Sequence, residues 1–328
     1  MTWNRARKRI ERSLSLIGAA LLLYLVYRVG INEIWLNLRH FGWWLLATCL
    51  LSALWLFFQA LAWWRIQAVY FTRVPLLELY RVKFISDAFN LILPSASMGG
   101  DAMRAFLIKP LVPLHDGIPG VMFDKTIEFV ASIIFLAAGL SLGLLSLRLP
   151  TAVVVPAAVS VGITAVGTVL LVVIQRNGVT NSLLRVCRIV PRAHAWIVSR
   201  EKQFAAMDDN LRLLYSGSIL RALLPLLFHI ANRLTGVFEF MIVLAVLGAP
   251  VTFVQALFIA AIVTVGNTVF FLLPGQWGVM ESIHIVVLQS LGYPAAVGLS
   301  LSIIRRVRRL VVVGFSLVLF ATRKRAAA

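Results

Sequence analysis

Asn90-Leu-Ile-Leu-Pro94-Ser-Ala-Ser-Met-Gly99-Gly100-Asp101-Ala-Met-Arg104 interrupts one apolar run, and Asn267-Thr-Val-Phe-Phe-Leu-Leu-Pro274-Gly275-Gln-Trp-Gly278-Val-Met-Glu281 interrupts another. In each, Leu-Pro ends an apolar stretch, glycine follows within a few residues, and an acid stands seven residues after the proline. Proline removes a backbone donor and glycine permits turns closed to other residues, so both helices are expected to break here. Pro94, Gly99, Gly100, Pro274, Gly275 and Gly278, with Asn90 leading the first stretch, are the candidate turn residues of a cavity. Counting on from each proline, Lys125 and Arg305 both fall 31 residues later. The match predicts an internal repeat, with units over about 76–147 and 253–322.

The solvent for these breaks is set by composition. Of 328 residues, 60% are hydrophobic and 13% charged, with a mean hydropathy of +0.91. Soluble domains carry roughly 45–50% apolar and about 25% charged residues, so both departures point to lipid. A spanning helix needs about 20 apolar residues. Full spans are expected near 14–29, 43–64, 126–147, 151–174 and 219–247, and a last long helix near 294–322. Tryptophans at 43, 44, 63 and 64 bracket the second span, where rings settle at headgroup level. The expected fold is one all-α polytopic membrane domain over 1–328, with about six full spans and two re-entrant, broken helix pairs.

The formal charge of +18 requires no nucleic-acid partner, because Lys and Arg gather in cytoplasmic loops and fix orientation. The segment 65–83 carries Arg65, Arg73, Arg81 and Lys83 against Glu78, and the connection after Gln175 is richer still in arginine. Both read as cytoplasmic, and the turns between them are nearly neutral. Arg5 to Arg9 resembles the start of a signal peptide, but a second apolar segment follows at once, so a first spanning helix is expected. Arg323-Lys324-Arg325 returns the C-terminus to the same side, so both termini are expected in the cytoplasm. The connection over about 181–215 is expected as an amphipathic helix on the anionic inner leaflet, or as a solvated hairpin. Cys49 and Cys187 sit in unlike surroundings and predict no disulfide.

With this topology the first broken segment enters from the cytoplasm and the second from the opposite side. Such inverted units place a site near the midplane at the repeat interface. A broken helix leaves backbone groups unpaired at several kcal/mol each in hydrocarbon, so it needs burial in protein or a water-filled cavity. The same segments carry charge. Asp101, Arg104, Asp124, Lys125, Glu128, Arg233, Glu239 and Glu281 all lie in or beside apolar stretches, where an ionised group costs roughly 2.5–3.5 kcal/mol. Structural ion pairs, such as Lys125 with Glu128 or Asp101, are the plain reading of any one of them; the whole set points to a cavity.

Arg305-Arg306-Val-Arg308-Arg309 is the densest signal. Counted from Pro294, Arg305 lies about 16 Å along the last helix. Arg305, Arg308 and Arg309 share an arc of about 100°, with Arg306 at its edge. A cytoplasmic loop is the alternative, but it leaves only 310–321, too short to cross back. Guanidinium forks match phosphate oxygens, so an anionic headgroup is the natural guest.

Three function classes compete. In a lipid carrier, Arg305, Arg308 and Arg309, with Arg104 and Lys125, attract a headgroup phosphate. Asp101, Glu128, Glu239 and Glu281 then pair with the cations in the empty state or hold a cationic headgroup part. An intramembrane enzyme acting on a lipid phosphate would draw on Glu281, Ser282, His284, Arg305, Ser95 and Ser97. The chain has no His-Glu-x-x-His motif, no Gly-x-Ser-x-Gly elbow and no Asp-rich metal pair, so no catalytic residue, metal or cofactor is expected. A non-transporting membrane partner protein predicts neither lipid exchange nor chemistry.

The motifs Asn90…Leu93-Pro94…Gly99-Gly100-Asp101…Arg104, Asp124-Lys125…Glu128-Phe129 and Leu273-Pro274-Gly275…Gly278…Glu281, with the late arginines, resemble one family. It is the flippase-like family that includes the membrane domain of lysylphosphatidylglycerol synthases (MprF-type) and the hopanoid-associated protein HpnL. The resemblance covers about residues 10 to 322. It implies a bacterial-type inner-membrane protein that moves a lipid, of phospholipid, polyprenyl phosphate or hopanoid class, between leaflets. The soluble domain that attaches lysine in the full synthases is not in this sequence, so lysyl transfer is not expected.

Overall fold

Long apolar runs in lipid satisfy their backbone groups within the segment, and helices are the result. The computed structural model describes residues 31–70, 74–92, 99–147, 151–180, 198–217, 219–270 and 276–326, with 27, 182, 184 and 273 singly. These residues form 11 helices and no strand. They are α1 (Ile31–Phe41), α2 (Trp44–Tyr70), α3 (Leu76–Ile92), α4 (Gly99–Ile108), α5 (Leu114–Ser146), α6 (Thr151–Asn177), α7 (Glu201–Ser216), α8 (Ile219–Val246), α9 (Phe253–Val269), α10 (Val279–Ser290) and α11 (Ala295–Ala326). The expected span at 14–29, apart from Tyr27, and Pro94, Ser95, Ser97, Pro274 and Gly275 lie outside the described residues.

Four helices are long and apolar enough to cross a bilayer: Trp44–Ala68, Leu114–Ser146, Ala158–Asn177 and Leu220–Val246. They answer to the expected spans two to five. The last expected helix is α11, 32 residues without a break, so its arginines lie on one continuous helix rather than in a loop. Two boundaries move. The basic stretch 65–83 is mostly helix, the end of α2 and the start of α3, which leaves only a short connection. Helix α5 begins at Leu114, well before position 126. Its first turns are held by α7, whose Asn210 side chain donates to the His115 carbonyl at 2.9 Å and to Asp116 at 2.8 Å.

Helix α7, part of the expected amphipathic connection, docks on the bundle. Leu211 and Leu214 are buried with Ile66, Phe123 and Ile127, and the Tyr215 hydroxyl donates to Gln175 at 2.7 Å. Asp208 accepts from the backbone N–H groups of Val179 and Thr180, which follow Gly178 at φ 97°.

The described helices stop at Ile92 and resume at Gly99, and stop at Val269 and resume at Val279, at matching places. Helices of 17, 10 and 33 residues (α3, α4, α5) recur as 17, 12 and 32 residues (α9, α10, α11). Each short pair is a hairpin whose two ends meet. Arg323 of α11 bridges Glu78, at the start of α3, and the carbonyl of Leu107, at the end of α4. Tyr293, just past α10, donates to the carbonyl of Pro250, just before α9, at 2.6 Å. Helix α11 runs from the Tyr293 end to the Arg323 end, so the two hairpins open toward opposite ends of the bundle. The packing is reciprocal: α3 lies against α11, and α9 lies against α5. Helices α2 and α8, which precede the two units, pack on each other.

Small residues allow the closest approaches, the usual device where lipid gives no hydrophobic drive for helix association. Gly139 and Gly143 of α5 face α9, where a Cβ would stand 2.8 Å from Ala261 and 2.6 Å from Phe258. In the first hairpin, the Gly100 N–H donates to Asn90 at 2.8 Å, and a Cβ there would stand 1.9 Å from the Ser86 carbonyl oxygen. Gly100→Ala should therefore lower thermal stability in detergent by about 1–3 kcal/mol, the usual penalty of overpacking. Gly314→Ala, where an added Cβ meets nothing within 4 Å, is the control and should leave the melting temperature unchanged or raised. Equal melting of the two variants would refute the close approach.

Candidate functional site

Helix α8 is polar on its inside. His229, Asn232, Thr235 and Glu239 are buried at helical spacing, whereas Leu220, Leu223, Leu224, Leu227 and Phe238 are exposed. Lipid takes the apolar face of a membrane helix, and ionisable groups turn to the bundle interior. His229 and Glu239 are ten residues apart, about 15 Å along the axis. Each belongs to a separate charged cluster.

The first cluster joins α3, α4, α5 and α8. Arg104 is fully buried; its guanidinium reaches Asp124 and, at 3.3 Å, Asp101, and lies 4.3 Å from the Trp63 ring. Asp124 also meets the His229 Nε2 at 3.0 Å. Lys125 pairs with Asp101 at 3.2 Å and with Glu128 at 3.1 Å, the two partners expected for it. Arg233 donates to the Ser132 hydroxyl and lies within electrostatic reach of Glu128. Lys83 is buried in the same neighbourhood, within electrostatic reach of Arg104, Asp124, Glu128 and Asp101.

The second cluster joins α8, α10 and α11. Glu239 takes Arg308 and, at 3.4 Å, Arg305. Arg305 lies 4.2 Å from the Phe240 ring and 3.4 Å from the His284 Nε2. Arg306 pairs with Glu281, donates to the Gln276 carbonyl at 3.3 Å and stacks on Trp277 at 4.2 Å. The turn before α10 uses backbone that favours glycine: φ is 75° at Gly278 and 49° at Gln276.

The clusters share one design. Asp101 stands in the first turn of α4 and Glu281 in the first turn of α10, where the helix dipole favours an acid. Each then pairs with a cation on the long helix that follows, Lys125 or Arg306. Helix α2 runs antiparallel to α8, since Trp63 touches Arg104 of the first cluster while Cys49 lies within electrostatic reach of Arg308 and Glu239 of the second.

Of the residues expected from sequence, Asp101, Arg104, Lys125 and Glu128 come together in the first cluster; Glu239, Glu281, Arg305 and Arg308 come together in the second. Asn90, Gly99 and Gly100 form the first hairpin, and Gly278 lies in the turn of the second. Arg309 is exposed, and Arg306, at the edge of the expected arc, makes the contact to Glu281. Sequence reasoning passed over Lys83 and His229. Both carried a signal: Leu79, Val82, Lys83 and Ser86 fall on one helical face, and so do His229, Asn232 and Glu239.

Formal charges, with the histidines neutral, leave each cluster with one cation in excess. Lys83, Arg104, Lys125 and Arg233 stand against Asp101, Asp124 and Glu128; Arg305, Arg306 and Arg308 stand against Glu239 and Glu281. In the first cluster the buried donors Trp63 Nε1, Arg104 Nε and Arg233 Nε have no acceptor, while none of its carboxylate oxygens is orphaned. Ser282 and His284 bond to their own helix, at the carbonyls of Gly278 (2.8 Å) and Met280 (2.6 Å). Among the described residues no three His, Cys, Asp or Glu side chains converge as a metal would require.

Helices long and apolar enough to span a bilayer, enclosing charge, define an all-α polytopic integral membrane protein. Its family is also defined: residues 13–316 match the lysylphosphatidylglycerol synthase TM region, and the chain belongs to that lipid-related membrane family. No curated protein and no solved structure matches it.

Proposed function

We propose that the protein carries an anionic, phosphate-bearing lipid between the leaflets of a bacterial-type cytoplasmic membrane, with the headgroup inside the bundle and the tails in lipid. The observation that carries this reading is the pair of interior clusters, each one cation in excess and about 15 Å apart along α8. A buried excess charge is costly, and a monoanionic phosphodiester neutralises it with charge-assisted hydrogen bonds. The matching hairpins support an inverted duplication with one cluster toward each leaflet. In this orientation α7 and both termini face the cytoplasm and the hairpins are re-entrant. A carrier is favoured over a lipid-phosphate enzyme because the Ser282 hydroxyl is turned to its own backbone, at the Gly278 carbonyl.

The test uses the full chain in liposomes containing headgroup-labelled phosphatidylglycerol, with leaflet accessibility followed over time and the lipid then chromatographed. Exchange should be fast, the lipid intact, and the rate at least tenfold lower for Arg305→Gln/Arg308→Gln. An unchanged rate in the double variant would sink the carrier reading, and an altered headgroup would replace it with the enzyme.

A further inference from the structure

Within the first cluster, one cation differs from the others. Arg104 and Lys125 are each held by two carboxylates, and Arg233 is anchored to Ser132. Lys83 is only 4% exposed, yet no carboxylate among the described residues comes within ion-pair distance of it. Its ammonium lies inside the bundle beside a like charge, Arg104, with Asp101, Asp124 and Glu128 near enough to act on it but too far to bond. A lysine near a helix end ordinarily snorkels its head to water. Lys83 stands on the buried face of α3 with Leu79, Val82 and Ser86, so its side chain runs into the bundle instead.

An ammonium on a buried lysine, with no carboxylate at ion-pair distance, is unfavourable unless something negative meets it. Three buried donors without acceptors, on Trp63, Arg104 and Arg233, belong to the same cluster. A guest that satisfies such a set brings acceptors and one negative charge, and a phosphodiester does both. Resting on the carrier reading above, we infer that the Lys83 ammonium holds the phosphodiester of the lipid headgroup in the first cluster, and so selects a headgroup of single net negative charge over a zwitterionic one.

The inference has an unusual signature, because a residue kept for a ligand weakens the empty protein. The full chain is melted in neutral detergent alone, with phosphatidylglycerol, with phosphatidylcholine, and with inorganic phosphate. Lys83→Met should melt higher than the unsubstituted protein in detergent alone, and its stabilisation by phosphatidylglycerol should fall to less than a quarter. Lys83→Arg, which keeps the charge, should retain most of that stabilisation. A Lys83→Met protein that melts no higher, or that responds fully to phosphatidylglycerol, overturns the assignment. Equal stabilisation by inorganic phosphate, lost with Lys83→Met, overturns the lipid source and leaves a free-anion site. The carrier reading fails separately: no lipid exchange in liposomes, with the Lys83-dependent shift intact, would leave a lipid-binding site without transport.

Discussion

Arg104→Leu should destabilise the protein by about 3–5 kcal/mol, the range for breaking a buried ion pair from one side. Arg104 is fully buried and is shared by Asp124 and Asp101. Its loss leaves Asp101 with Lys125 but Asp124 with His229 alone. An uncompensated carboxylate is then enclosed among α4, α5 and α8. Adding Asp124→Leu removes that charge, and replacing both partners of a buried pair by apolar groups is often neutral. The double variant should therefore recover more than half of the loss, as read by reversible unfolding in mixed micelles. Additive losses from the two substitutions would show that the pair does not act as a unit.

Glu239→Gln should act in the opposite electrostatic sense. Glu239 is the carboxylate shared by Arg305 and Arg308, and without its charge three cations face Glu281 alone. The empty protein should lose about 3 kcal/mol or more. Phosphatidylglycerol should restore it, with an apparent affinity at least tenfold higher, about 1.4 kcal/mol. Leaflet exchange should slow, because a headgroup held more tightly leaves later. Thermal melting against phosphatidylglycerol concentration reads the first two effects and the liposome assay the third. A variant that binds the lipid more weakly than the unsubstituted protein would refute the role of Glu239 as the resident competitor for these arginines.

The breaks in the chain were legible because proline and glycine act locally: nothing distant is needed to end a helix at Ile92 or Val269. The acids after them were legible as charges in apolar sequence. Partner choice was not. Arg305, Arg306 and Arg309 are close in sequence, and which of them meets Glu281 depends on how α11 is rotated about its axis. Packing sets that rotation: Leu301, Ile304 and Val312 are buried, Arg305 and Arg308 lie along their stripe, Arg309 falls off it, and Arg306 faces α10. Lys83 was hidden by its neighbours. Arg73 and Arg81 make the stretch look like a basic loop, and only the buried face formed with Leu79, Val82 and Ser86 separates Lys83 from them. His229 was passed over because its partner, Asp124, lies 105 residues earlier. The docking of α7 was obscured in the same way, since Asp208 binds backbone just past the end of α6 and Tyr215 binds Gln175 on α6, groups that no local pattern announces.

The reciprocal packing of the two units has a consequence for synthesis. Helix α5 ends at Ser146, and α9, whose Leu257, Phe258 and Ala261 fill the surface left by Gly139 and Gly143, begins at Phe253. At roughly 5–20 residues per second, the ribosome leaves an interval on the order of 5–20 seconds in which that glycine face has no partner. Helix α3 waits longer, until α11 emerges, and Asp124 waits for His229 on α8. The first half of the chain thus enters the bilayer with its charges only partly compensated. Native assembly is a late event that joins the two halves at once, so truncation within the second half should leave the first without a finished core.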